Sequence, residues 1–183
     1  MSYFTTVPSP QELIDLVKLS VDKSKYDVMA VIEIGGSPLK GDSQRQFSDG
    51  KPRLDVEAYL WGVAQPIDVS MQVVGHRQAG ILYLIRRCNS ATASILSALV
   101  SNSKVKVTLD AYRAGGGGDV RVIEIIVDEA RVAKHCLFTD QTLGPCEMLG
   151  FAGKKFEIKT FAQLSSGLEG PQVSCQLDAG AAT

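Results

Sequence analysis

From Lys25 onward the apolar residues of the chain recur with a period of two. Val28, Ala30, Ile32 and Ile34 alternate with Met29, Val31 and Glu33. In 54–63, Leu54, Val56, Ala58 and Leu60 alternate with Asp55, Glu57, Tyr59 and Trp61, and in 67–73 Ile67, Val69, Met71 and Val73 alternate with Asp68, Ser70 and Gln72. Alternation of this kind predicts half-buried antiparallel strands, each with one face on the core. Segments 81–87, 104–112, 119–127, 130–138 and 154–161 continue the series, with Val105, Val107, Leu109 and Ala111 facing one way. Two stretches have the helical period instead. Ser9-Pro10-Gln11-Glu12 is a capping box with proline at the first helical position, and Leu13, Leu16, Val17 and Val21 follow at helical spacing, predicting a helix over 10–22. Asn89 or Ser90 caps a second helix whose predicted buried stripe is Ile95, Leu96, Leu99 and Val100. About eight short strands with one inserted helix predict a mainly β fold, a small, closed or nearly closed antiparallel β-barrel, because closure removes exposed edges.

Three regions emerge from this pattern: an N-terminal helical extension (1–24), the barrel domain (25–161) and a C-terminal tail (162–183). The tail shifts to Gly, Ser, Ala and Gln, has no basic residue, and is predicted to be flexible. Within the barrel domain, Gly35 to Arg53 is a long polar loop, and loops of that length in compact domains are usually functional or mobile.

The composition permits one well-buried core: 183 residues, 45% hydrophobic and 21% charged. Nineteen basic residues against 20 acidic ones leave a net charge of −1, without the basic excess of a nucleic-acid binder. No run of about 18 apolar residues is present, so no membrane-spanning helix is predicted. The start, Met1-Ser2-Tyr3-Phe4-Thr5-Thr6-Val7-Pro8, lacks the basic and apolar regions of a signal peptide. Cys88, Cys136, Cys146 and Cys175 form no CxxC pair and have no zinc spacing. Four reduced thiols and a Cys136–Cys146 bridge across a hairpin both fit their positions.

The remaining candidates for chemistry have plainer explanations. Gly115–Gly118 lies between two strands, whereas a phosphate loop needs a helix N-terminus after it, so a hairpin loop is the better reading. His76 and His135 have no partner ligands at metal spacing and no accompanying Ser or Cys nucleophile signature. Asp128-Glu129 and Glu124 pose as paired carboxylates, yet solvent-facing charges at a strand end account for them. No catalytic, cofactor-binding or metal-binding residues are assigned. Lys104 and Lys106 share one strand face, and Lys155, Glu157 and Lys159 share another; both are solvated sheet faces or the lining of a wet channel.

Four stretches together resemble a known family. Tyr59-Leu60-Trp61-Gly62-Val63 is similar to its aromatic-x-Trp-Gly-Val/Ile signature. Leu84-Ile85-Arg86-Arg87, followed by Ser90 to Leu99, resembles its strand leading into a lone helix. Val105 to Arg113 is close to its V-T-L-x-F-Y-R strand, and Ile123 to Val132 is close to its Y-x-I-x-L-x-D-A-x-I/V run. In order and spacing these resemble the haemolysin-coregulated protein (Hcp) family, the inner-tube subunit of type VI secretion systems, over about residues 27–161. The helix at 10–22 and the tail are additions to its usual compact subunit.

The resemblance implies a structural protein and not an enzyme: a homo-hexameric ring that stacks into a hollow tube, with Gly35–Arg53 reaching to the next ring. It implies sheath, spike and baseplate proteins as partners, small effectors in the lumen, assembly in the cytoplasm and secretion without a signal peptide. No cofactor, nucleic acid or membrane span is implied. The tube subunit of a phage-tail-like contractile particle shares these features. A carbohydrate- or peptide-binding β-sandwich is the different class; it would use Tyr59 and an exposed Trp61 as a stacking platform, whereas a tube subunit would pack Trp61 away. The apolar stripe of the N-terminal helix predicts docking on the outside of a barrel, with roughly 1.5–3 kcal/mol for each large side chain fully covered. Removal of residues 1–24 is therefore expected to lower the melting temperature or ring stability while leaving a folded core, as judged by calorimetry and light scattering; unchanged melting and unchanged rings would defeat it.

Overall fold

The computed structural model describes residues 26–41, 43, 47, 49–65, 67, 70–73, 78–115 and 118–179. The helix predicted over 10–22 and His76 lie outside the described residues. The chain first forms β1 (Tyr26–Ile34), β2 (Ser37–Pro38), β3 (Leu54–Val56), β4 (Ala58–Leu60), β5 (Val63–Ala64), β6 (Gln78–Ala79) and β7 (Leu82–Arg87). The helix α1 (Thr92–Val100) follows, then β8 (Val105–Gly115), β9 (Gly118–Asp140), β10 (Gly144–Ala152), β11 (Lys155–Gln163) and β12 (Glu169–Asp178). The ladders among these strands are antiparallel. The mainly β class with an inserted helix is as predicted; among the described residues α1 is the one helix.

The barrel is not closed by hydrogen bonds. A ten-stranded sheet runs along the path β2-β1-β8-β9-β10-β7-β4, with β3 on β1 and the β11–β12 hairpin attached to β9. The two ends of this path are joined covalently instead. In the single segment Leu54–Leu60, β3 pairs with β1 and β4 pairs with β7. Glu57 lies at the change of partner, and its backbone N–H donates to the Ile85 carbonyl at 2.8 Å. This bend shifts the side-chain phase by one residue. Leu54 and Val56 enter the main core, but beyond Glu57 it is Tyr59 and Trp61 that pack on that core, while Ala58 and Leu60 join a separate cluster with Tyr83, Ile85 and Met148. The expected single face Leu54-Val56-Ala58-Leu60 is thus split, because a one-residue slip moves every later side chain to the opposite face.

A second irregularity shapes β9. One extra residue opposes β8 between the pairs Val105↔Ala130 and Val107↔Val127, and Glu129 takes φ +49° there, its N–H bonded to Asp128 Oδ1 at 2.7 Å. Such a bulge bends and twists a strand. Before it, β9 lies between β8 and β11; after it, β9 pairs with β10. The two predicted strands 119–127 and 130–138 are therefore one 23-residue strand with a corner. The β1–β2 connection is a two-residue turn at Gly35 and Gly36, both at positive φ, as the tightest hairpins require.

The core has Ala30, Ile32, Val105, Val107, Leu109, Ile125, Val127, Leu149, Phe151 and Phe156 at its centre, with Ile95 and Ala98 of α1 against it. Two predictions for α1 fail. Leu96 and Val100 point outward, 41% and 79% exposed, because only Ile95, Ala98 and part of Leu99 turn inward. Asn89 acts one residue early: its Oδ1 accepts from the Ala91 N–H at 2.9 Å, and Ala91 is the residue at the cap. Among the described residues, the alternation at 67–73 gives only an isolated bridge. Ile67 and Val73 make an isolated antiparallel bridge around an exposed Met71 at φ +64°, so the chain reverses there.

Part of the predicted flexible tail is a strand. Residues 169–178 form β12 on β11, in register from Lys155↔Asp178 to Gln163↔Glu169, and Leu177 packs on the main core. Removing residues 164–183 is expected to lower the melting temperature by about 4–12 °C, from losing roughly one buried leucine and its ladder. Calorimetry that shows no shift would mean that β12 adds no stability.

Candidate functional site

In a sheet that buries one face, the outward positions decide what the molecule can meet. The outer face of β8 has Lys106, Thr108, Asp110 and Tyr112 at alternate positions, and two of these are buried: Asp110 is 1% exposed and Tyr112 is 9%. The cover is the returning leg of the long loop. The Arg53 guanidinium forks onto Asp49, with Nη1 to Oδ1 at 2.8 Å and Nη2 to Oδ2 at 3.0 Å. Its Nη2 also lies 3.5 Å from Asp110 Oδ2. The Phe47 ring stacks under the same guanidinium at 3.9 Å and against Tyr112 at 5.5 Å. The polarity of the loop predicts that it stays clear of the core, yet Leu39 packs on it and Arg53 is 6% exposed.

Asp110 is shared. Arg121 Nη1 approaches its Oδ1 at 3.5 Å and bonds Glu124 Oε1 at 2.7 Å, while Lys159 Nζ takes Glu124 Oε2 at 2.7 Å. Arg121 also lies over Phe161 at 4.3 Å and 3.6 Å from Glu169 on β12. Charges thus alternate in sign from the loop, across β8 and β9, to β11 and β12. Burial pushes the Asp110 carboxyl upward, and the Arg121 and Arg53 guanidiniums pull it back down. The hydrogen bonds from Arg53 hold Asp49 below the usual carboxylate range.

A second polar cluster closes one end of the core beneath the first turn of α1. Glu147, fully buried, is on the same face of β10 as Leu149 and Phe151. Its carboxylate lies 3.3 Å from Arg86 Nε, 2.7 Å from His135 Nε2 and accepts from Thr92 Oγ1 at 3.1 Å. Thr92 Oγ1 in turn accepts from the Asn89 N–H at 3.1 Å. Thr92 opens α1, so the cluster ties the start of the helix to the sheet.

The remaining candidates fall on ordinary ground. Gly115 and Gly118 pair at a hairpin end; Gly116 and Gly117 lie outside the described residues. Glu124, Asp128 and Glu129 each face a cation, Asp128 with Lys106 at 3.5 Å and Glu129 with Lys155 at 2.6 Å. Lys106, Lys155, Glu157, Asp128 and Asp178 line an open groove of about 450 Å³ across β8, β9, β11 and β12. Lys104 precedes β8, and Lys159 belongs to the charge network. All four cysteines are free thiols. The sequence pattern singles out none of Asp110, Glu147, Arg53, Arg86 and Arg121, which form the two clusters; a charge inside an otherwise apolar strand (Leu84-Ile85-Arg86, Glu147-Met148-Leu149) is the signal that could have found them. Trp61 stacks on Phe156 at 5.2 Å, and its Nε1–H donates to the Gly80 carbonyl at 3.1 Å. One face of its ring is therefore occupied by Phe156.

A family model described as "Type VI secretion system effector, Hcp" matches residues 31–159. Among curated protein sequences, none matches. The fold is similar to that of a structure described as Hcp protein, with a TM-score of 0.69 at 15% identity over 86% of this chain and 99% of the other. A variant of Hcp1 from E. coli superposes with a TM-score of 0.68 at 13% identity over 84% and 98%. Hcp1 from Salmonella typhimurium gives 0.62 at 15% identity over 84% and 94%.

The buried cluster makes a definite prediction for stability. Removing one partner of a buried ion pair leaves the other uncompensated and costs about 3–5 kcal/mol, whereas replacing both by apolar residues is often near neutral. Glu147→Leu is expected to lower the melting temperature by roughly 6–20 °C, and adding Arg86→Met to it should recover much of the loss. A double variant as unstable as the single one would contradict the pairing of these two charges as the source of the effect.

Proposed function

Because this chain belongs to the Hcp family of type VI secretion system effectors, we propose that it assembles as a ring of six copies whose rings stack end to end. Its function is that of a structural subunit of the type VI secretion tube. The family match over 31–159 is the observation that carries this reading, and it favours a type VI tube over a phage-tail-like particle. The occupied face of Trp61 counts against the β-sandwich binding module.

The sheet has the physical means for a ring. A closed ring of identical subunits needs two different, complementary patches on each copy. Among the described residues, β12 pairs only with β11, and the two ends of the main path are the short strands β2 and β4. β12 contains no lysine or arginine, and Val173 is 72% exposed. A long edge of that kind, left bare, invites pairing with another chain. In this reading a neighbour covers it. The loop Gly35–Arg53 reaches toward the next ring, the lumen carries small effector proteins, and a contractile sheath drives the tube, which meets spike and baseplate proteins at its ends. Assembly takes place in the cytoplasm, and export needs no signal peptide. No helix of the described residues is long and apolar enough to cross a membrane. The protein acts mechanically and not as an enzyme.

Negative-stain images of the purified chain are expected to show rings with an open centre. Val173→Lys, which sets a charge on the exposed edge, should shift the population toward monomer in light scattering without lowering the melting temperature. A wild-type chain that stays monomeric over a wide concentration range would overturn the reading.

A further inference from the structure

We propose that Phe47, Asp49 and Arg53 form a latch that fixes the returning leg of the long loop on β8, and that they are thereby positioning residues for the contact between a ring and a second ring of the same chain. The inference builds on the tube reading and names the side chains that make one of its surfaces competent. A polar loop of this length would lose much of its binding strength if it had to be ordered at the moment of contact, since each immobilised residue carries an entropic cost. Here Phe47 and residues 49–53 of the returning leg are already held by the chain itself.

Four observations converge on the latch. The Arg53–Asp49 fork is bidentate, the arrangement that adds orientation to charge. Asp49 Oδ1 also accepts from the Lys51 N–H at 3.1 Å, and the Gly50 N–H bonds the Phe47 carbonyl at 3.0 Å, so the backbone around the fork is tied into a closed turn. The guanidinium lies between the Phe47 ring and buried Asp110, so an aromatic face and a carboxylate hold it together. Finally, Lys51 Nζ reaches Glu33 on β1 at 2.6 Å, giving the leg a second foothold. A loop with no task beyond connecting β2 to β3 has no need for a nearly fully buried arginine. Because Asp110 also faces Arg121, which touches Glu169, the same carboxylate links the loop to the β12 hairpin.

The test uses the full chain and three variants, Asp49→Asn, Phe47→Ala and the conservative Asp49→Glu. Asp49 is 43% exposed, so its replacement leaves the core unbroken, and Phe47→Ala keeps the test open if the first variant folds poorly. Wild-type tube formation is scored first by electron microscopy; its absence overturns the tube reading itself. Hydrogen exchange in peptides spanning 40–53 then reads the latch directly. Asp49→Asn and Phe47→Ala are expected to exchange at least about tenfold faster there, the scale of one lost charge-assisted hydrogen bond. They should keep rings in light scattering but form about tenfold fewer tubes, and Asp49→Glu should restore both readouts in part. Unchanged exchange in both disruptive variants would overturn the latch. Faster exchange with wild-type tube yield would overturn its positioning role.

Discussion

β9 spends its first half between β8 and β11 and its second half against β10, and a single extra residue at Asp128–Glu129 makes the change of partner. Without that bulge, a strand of 23 residues would continue straight out of the core, since at about 3.3 Å per residue it would run roughly 75 Å, far more than the width of a small domain. With it, the strand turns a corner, and Ile125 and Val127 before the bulge and Ala130 and Val132 after it all contribute to one core. The bulge itself rests on one backbone in the left-handed region, held by the hydrogen bond from Glu129 to Asp128.

Polar groups within this frame are of two kinds. Glu147, Arg86 and His135 are on core-facing positions of the sheet, where Glu147 meets both of the others and seats the start of α1. Asp110, Arg53 and Arg121 are on the outer face and are buried only because a loop lies over them. The first kind anchors the helix on the sheet; the second holds a surface element in place from below. Both use carboxylate–guanidinium contacts, but only the second sits where a neighbouring molecule could meet the element it supports.

Much of the framework is readable from the period-two pattern: β1, β7, β8, the two halves of β9, β11 and the lone helix all fall where alternation or helical spacing puts them. The failures have specific physical causes. Leu54 to Trp61 alternates without interruption in sequence, so nothing in the pattern reveals that Glu57 bends the backbone and inverts the facing. Residues 67–73 alternate too, but a pattern does not report whether a strand has a neighbour to pair with. β12 escapes the pattern because Gln172, Ser174 and Gln176 are polar and its apolar residues are largely solvated, so the segment reads as a tail although β11 supplies a ladder. The two charge clusters depend on contacts between residues far apart in sequence, such as Arg53 with Asp110 or Arg86 with Glu147, which no local spacing encodes. Family motifs locate the domain but say nothing about these contacts.

The segment Leu54–Leu60 has a mechanical meaning as well as a topological one. In a barrel sealed only by hydrogen bonds, the closing seam can be unzipped one bond at a time from its end. Here the seam is a covalent strap gripped on one side by β1 and on the other by β7, with Trp61 wedged on Phe156 just beyond it. Parting the two ends of the sheet means stripping β3 from β1 or β4 from β7, because the peptide between the two ladders cannot be unzipped. That is a joint that resists opening without requiring a long strand to make it.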